Sequence, residues 1–364
     1  MNNGNPIRKR LAQLVLLLIA IAALATIAFW YVCIRMPGES AVPSNNAVAY
    51  NEAPRAATEE EAPEEEATEQ AVVPVALDAE LQQHVVQLAE TIGERNLGHY
   101  ESLCEAANYV ESNLRELGYP MERQTYQVNN LDCFNVVAEV TGGSQPDEII
   151  IIGAHYDSVR GTPGANDNGS GVATMLSLAK LLADFKPDKT LRFVGFTNEE
   201  PPYFQNRGEM GSWVYAEACR KADDNIVAVL SLETMGYFSD EPDSQNYPPP
   251  LNAFYPSTGN FIGFVSNVGS SQLQRRVIKV FRENSSVPSE GASLPSSVPG
   301  VGWSDHWSFW QEGYPGIMIT DTAPFRYPHY HEPTDTPDKI DFVKLAEVTE
   351  SLVHVIKDLC SKND

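Results

Sequence analysis

The stretch Glu148-Ile149-Ile150-Ile151-Ile152-Gly153-Ala154-His155-Tyr156-Asp157 decides how this chain reads. A short, continuous apolar run of β-branched residues is what a central strand buried on both faces requires. Strands of that kind belong to α/β sheets, where ligands gather beyond the carboxyl ends. His155 and Asp157 stand just past this one.

Working outward, helix and strand signals alternate. Helical periodicity covers residues 81–92 and 102–117, with Gly118 a natural stop, then 171–185, 210–221, 271–283 and 342–359. Strand signals cover residues 121–128, 135–141, 191–196, 226–232, 261–265 and 316–320. The alternation predicts a three-layer α/β/α domain with a mostly parallel central sheet. Residues 238–256, rich in Pro, Asp, Ser and Tyr, read as a long loop on the functional side.

Acids and histidines recur at the predicted strand ends. Asp167 lies in Gly-Ala-Asn-Asp-Asn-Gly-Ser-Gly (164–171), and Glu199 and Glu200 follow the strand at 191–196. Glu233 follows the strand at 226–232, and His331 lies in His-Tyr-His-Glu-Pro-Thr-Asp-Thr (329–336). Separate loops thus deliver ionisable groups to one rim. A mixed His/Asp/Glu set suits zinc. A carboxylate that bridges two metals, plus one that binds neither, is what metal-assisted hydrolysis needs. Asp157 is placed to hold the second nitrogen of His155. Gly164 and Gly169 would let backbone approach the metals. His329 is an alternative to His331, and Asp305-His306 reads either as pocket lining or as a helix start capped by Ser304 or Asp305.

In this order the residues resemble the M28 family of co-catalytic zinc peptidases, of the bacterial leucyl-aminopeptidase type. The likeness covers residues 79–361. Its carriers are Gly-Ala-His-Tyr-Asp-Ser (153–158), the 164–171 loop, Phe-Thr-Asn-Glu-Glu-Pro-Pro-Tyr-Phe (196–204), Trp-Ser-Asp-His-Trp-Ser-Phe (303–309) and Pro-His-Tyr-His-Glu-Pro-Thr-Asp-Thr (328–336). The resemblance implies a zinc-dependent exopeptidase, phosphorylase/hydrolase-like fold holding two Zn2+. One zinc would sit on His155, Asp167 and Glu233, the other on Asp167, Glu200 and His331, with Asp167 bridging. Glu199 would be the general base, acting on a water activated by the metals. The downstream Thr334-Asp335-Thr336 favours His331 over His329. Glu233 stands where the best-known aminopeptidases of the family carry Asp, while other members carry Glu. The implied substrates are peptides with a free N-terminus. The rivals are a glutaminyl cyclase-like acyltransferase using one zinc, and a catalytically inactive binding ectodomain. Retention of His155 and of the Glu199-Glu200 pair favours hydrolysis.

The formal charge of -24 divides as +4 over residues 1–35, -8 over 36–76 and -20 over 77–364. Nothing here neutralises phosphates along a groove, which argues against nucleic acid, and the same acidity argues against anionic membrane surfaces. Residues 1–10 form a basic flank. Residues 11–34 contain Gln13 as their one strongly polar member. At about 1.5 Å per residue such a run can cross a hydrocarbon core of roughly 30 Å. The basic flank should stay cytoplasmic, so a single-pass anchor would put the rest on the extracytoplasmic side. A cleaved signal peptide ending near Ala23-Leu24-Ala25 is the alternative. Residues 35–76 are Pro-, Ala- and Glu-rich and read as a disordered acidic linker before a domain at 77–364. Cys33 falls at the membrane edge; Cys104, Cys133, Cys219 and Cys360 could pair in three ways or stay as buried thiols.

Overall fold

The computed structural model describes residues 76–362 together with Arg35–Met36. The expected membrane-spanning residues 11–34 lie outside the described residues, as does most of the 35–76 linker. Among the described residues no helix is long and apolar enough to cross a membrane.

Residues 149–152 lie within β4 (Gln145–His155), and all four are buried. Ile150 and Ile152 pack into a large core on one face, Ile149 and Ile151 into a smaller one on the other. That is the period-two alternation of a strand covered on both sides. β5 (Lys189–Phe196) and β6 (Asn225–Glu233) flank β4 in parallel, and β9 (Gly316–Thr320) runs parallel to β6. Parallel neighbours need crossovers, supplied here by α3 (Gly171–Leu181) between β4 and β5 and α4 (Gly211–Lys221) between β5 and β6.

The other strands overturn the expectation of a mostly parallel sheet. β2 (Met121–Val128) and β3 (Leu131–Val140) form a hairpin, and β3 runs antiparallel to β5. β7 (Ile262–Asn267) is antiparallel to β9 and parallel to β8 (Ser289–Leu294), whose far edge pairs antiparallel with β1 (Arg35–Met36). In the order β1-β8-β7-β9-β6-β4-β5-β3-β2, four interfaces are parallel and four antiparallel. The sheet is mixed. Connection length explains the hairpin: only Asn129 and Asn130, with φ of 52° and 63°, separate β2 from β3, and a two-residue turn must reverse the chain.

The helices complete three layers. The large core holds residues of α1 (Leu77–Val86, continued by a π-helical turn to Ile92), α2 (Tyr100–Glu116), α3, α5 (Ser271–Asn284) and, at the C-terminal end, α8 (Phe342–Cys360). On the other face the smaller core holds residues of α4 and the short α6 (His306–Gln311). One turn of helix, α7 (Ala323–Arg326), follows β9. Cys104, Cys133, Cys219 and Cys360 are free thiols.

Candidate active site

The parallel strands β4, β5, β6 and β9 end on one edge of the sheet. His155 is the last residue of β4 and Glu233 the last of β6. Beyond β5, Asn198 takes a left-handed conformation (φ 58°), and both Glu199 and Glu200 end up buried. Adjacent residues would face opposite ways on a continuing strand. The Asp157 carboxylate secures the turn that prevents this: Oδ1 accepts the Glu199 N–H and Oδ2 the Glu200 N–H, each at 3.2 Å. The expected contact between Asp157 and His155 is looser, 3.5 Å from Oδ1 to Nδ1, while the Asp157 backbone carbonyl lies 3.2 Å from the same nitrogen. Asp157 therefore orients the Glu199-Glu200 turn more firmly than it orients the imidazole.

Asp167 lies between the two histidines. Its Oδ1 is 3.5 Å from His155 Nε2, which is also 3.2 Å from Glu233 Oε2. Its Oδ2 is 3.2 Å from His331 Nε2, which is also 3.3 Å from Glu200 Oε2. Donor atoms of His155, Asp167 and Glu200 all lie within 4.8 Å of one another, so both groupings share one basin. Glu199 Oε2 reaches to 3.9 Å from His155 Nε2. Neither histidine Nε2 is aligned for a hydrogen bond, although carboxylate oxygens stand this near. Ligand atoms about 2.0–2.1 Å from a tetrahedral zinc lie roughly 3.3–3.4 Å apart. The spacings of 3.2–3.5 Å therefore fit donors converging on a metal.

The electrostatics agree. Asp157, Asp167, Glu199, Glu200, Glu233 and Asp305 are all buried here. Burial pushes Glu199 well above the usual carboxyl range, with Glu233 and Glu200 adding and His155 opposing. Burial and then Asp167 push Glu200 up to about 8, and burial pushes Asp305 up to about 7. Burial alone would depress both histidines, but the carboxylates outweigh it. Glu233 and Glu199 hold His155 well above its ordinary value, and Asp167 and Glu200 hold His331 at about 10. So many buried acids are unfavourable unless cations share their charge, and divalent metals answer that need.

Of the five remaining histidines, His306 is buried with Nε2 2.8 Å from the Val301 carbonyl, and the other four are engaged elsewhere or exposed. His329 Nδ1 lies 2.8 Å from the Thr334 hydroxyl, His84 bonds the Tyr109 hydroxyl at 2.6 Å, and His99 and His354 are exposed. Neither capping role is present: Asp305 makes no side-chain cap bond to α6, and Ser304 donates instead to Glu233. Gly164 is required where it stands, because its φ is 63° and a Cβ there would lie 2.5 Å from the Asp167 carbonyl. Beside Glu233 opens an apolar cavity of about 90 Å³ whose walls include Tyr247, Leu251, Phe261, Trp303, Met318 and Phe325. Tyr247 and Leu251 come from the long loop at 238–256. Sequence reasoning missed Arg95 and Asp335, which hold the Asp167 loop. Asp335 left a trace in the Thr334-Asp335-Thr336 stretch that favoured His331, whereas Arg95 left none.

The sequence model of peptidase family M28 matches residues 135–356. The chain is 34% identical over 286 residues to the uncharacterized protein YfbL of Escherichia coli K12, covering 76% of this chain and 87% of that one. It is 25% identical over 276 residues to the probable aminopeptidase YDR415C of Saccharomyces cerevisiae, covering 71% and 67%. Among solved structures, BSAP, a zinc aminopeptidase from Bacillus subtilis, superposes with a TM-score of 0.64 at 15% identity, covering 79% of this chain and 95% of that one. A glutaminyl cyclase from Fimbriiglobus ruber superposes with a TM-score of 0.58 at 19% identity, covering 78% and 95%. These two likenesses show a shared fold. The chain belongs to peptidase family M28, and its class is that of a metallo-exopeptidase.

Proposed function

We propose that the chain is a membrane-anchored di-zinc aminopeptidase that removes N-terminal residues from peptides outside the cytoplasm. The observation that carries the two-metal reading is the placement of Asp167, whose two oxygens face different histidines, each accompanied by a further carboxylate. His155, Asp167 and Glu233 would hold one zinc, and Asp167, Glu200 and His331 the other. Two zinc ions there would supply Lewis acidity, lowering the pKa of water and polarising the scissile carbonyl. Glu199 is the base: burial and neighbouring acids raise its proton affinity, so it can take a proton from water and pass it to the leaving amine. The cavity beside Glu233 would receive the side chain of the first residue, and the surrounding carboxylates would attract its free amine. The run at residues 11–34, behind its basic flank, supports the anchor.

A second reading, a single-zinc glutaminyl cyclase-like acyltransferase, draws support from the shared fold. The two-sided environment of Asp167 favours hydrolysis. The deciding experiment assays the full-length chain on unblocked and N-acetylated peptides, with metal content measured on the same sample. Two zinc per chain and cleavage of unblocked peptides only would establish the aminopeptidase. One zinc with cyclisation of N-terminal Gln would move the assignment to the acyltransferase. No metal and no turnover would leave a binding ectodomain.

A further inference from the structure

The loop carrying Asp167 is gripped by two wholly buried residues of opposite charge. Arg95 takes its carbonyls: Nη2 donates to Gly164 at 2.7 Å and Nη1 to Pro163, while Nε donates to the neighbouring Tyr156 carbonyl at 2.6 Å. Asp335 takes its amides: Oδ1 accepts the Asn166 N–H at 2.8 Å and Oδ2 the Asp167 N–H at 3.1 Å. The Asp335 backbone carbonyl accepts the Ala165 N–H at 3.3 Å, and Tyr327 donates its hydroxyl to Asp335 Oδ1 at 2.7 Å. All these bonds to the loop end on backbone atoms, so they set where the Asp167 side chain starts from.

Asp335 also belongs to the segment that presents His331, four residues upstream. His331 has a φ of 59° and stacks on Tyr330, with ring centroids 3.9 Å apart. A non-glycine residue holds that backbone conformation only where its surroundings enforce it. The Glu332 N–H closes the turn over His331 onto the His329 carbonyl at 3.0 Å, the Asp335 N–H bonds the Glu332 carbonyl at 3.0 Å, and this same segment grips the Asp167 loop. We propose that Asp335 is a positioning residue that brings Asp167 and His331 to the metal site together. It thereby sets the affinity of the Asp167–Glu200–His331 group for a divalent metal. This inference rests on the di-zinc reading of the site.

A carboxylate is needed because both of its oxygens accept N–H groups. Asparagine offers one acceptor and would turn an amide toward a loop N–H, loosening the loop on that side. Glu233 has no bond to Asp335, so the His155–Asp167–Glu233 group depends on it only through Asp167.

The test is a zinc titration of the full-length chain against a competing chelator, comparing the parent with Asp335→Asn. Thermal unfolding, kcat and KM are recorded on the same samples. One zinc should weaken roughly 10–100-fold and the other by less than about threefold, as for outer partners of metal ligands. Turnover should return at excess zinc with KM unchanged. Superimposable titrations, or equal weakening of both ions, would overturn the inference. So would a folded variant whose turnover excess zinc does not restore. Tyr327→Phe removes one donor to Oδ1 and leaves the carboxylate in place. It should weaken the same zinc by a smaller factor, and if Asp335→Asn does not fold, an unchanged titration in Tyr327→Phe rejects the idea. A parent chain that binds no zinc refutes the di-zinc reading itself, and this inference with it.

Discussion

Ser304 donates its hydroxyl to Glu233 Oε2 at 2.7 Å, tying the loop before α6 to the last residue of β6. The Ser231 hydroxyl lies 2.9 Å from Ser304 Oγ and completes a short buried chain. Glu233 thus reaches the site with one oxygen already oriented. Ser304→Ala should lower metal affinity roughly tenfold or more, as loss of an outer-shell partner does. Chelator competition on both proteins measures it, and an unchanged affinity would show that Glu233 needs no outside support.

Glu199→Gln keeps the size of the side chain and removes its ability to accept a proton. With the five proposed ligands intact, metal content should equal that of the parent. Turnover of an unblocked peptide should fall by about 10²–10⁴, the usual worth of a general base. A variant that keeps parental kcat would remove Glu199 from the mechanism.

Gly171→Ala sets local propensity against packing. Gly171 is the first residue of α3, and alanine in a helix is favoured over glycine by up to about 1 kcal/mol. Here a Cβ would lie 2.5 Å from the Leu232 carbonyl and 2.3 Å from Asn168 Oδ1. That same oxygen accepts the N–H groups of Gly171 and Thr234. Overpacking typically costs about 1–3 kcal/mol, so sterics should win and the variant should unfold at lower denaturant. A rise in midpoint would mean that the α3 start relaxes freely.

His84 supplies a pH dependence outside the site. Burial lowers its pKa from 6.5 to about 4, against the opposing pull of Glu80. The unfolded chain therefore binds this proton more readily than the folded one. Its contribution to stability is complete above pH 6.5 and falls as the pH drops toward 4, by at most about 1.4 kcal/mol per pH unit. Urea unfolding at pH 7 and pH 5 should show a shallower loss in His84→Gln than in the parent. Equal losses would remove His84 as a source.

Much of this molecule was legible along the chain. The isoleucine run of β4 announced itself because a doubly buried strand must be apolar at every position. The longer helices did so through their periodicity, while the short α6 and α7 did not. Asp167 stood out because its glycine-rich surroundings have little use in a core. β8 was not legible: Ser-Glu-Gly-Ala-Ser-Leu has no apolar run, and neighbouring chain holds it in the sheet. Arg95 was invisible for a related reason. Its donors shown above meet backbone carbonyls, which every residue possesses, so no pattern of residue types marks the contact.

By itself the sequence determined most of the longer strands and helices, and which kinds of donor stand past the strand ends. Those properties follow from the local periodicity and chemistry of side chains. Only the tertiary structure decided that β1 and β8, β3 and β5, and β7 and β9 pair antiparallel, since backbone pairing between distant strands carries no residue code. It alone put His155 and His331, 176 positions apart, on opposite oxygens of Asp167. It alone turned Ser304 and Asp335 from motif letters into supports for Glu233 and Asp167. Distances of 2.7–3.5 Å between such remote groups are set by how the layers pack, and no spacing along the chain contains them.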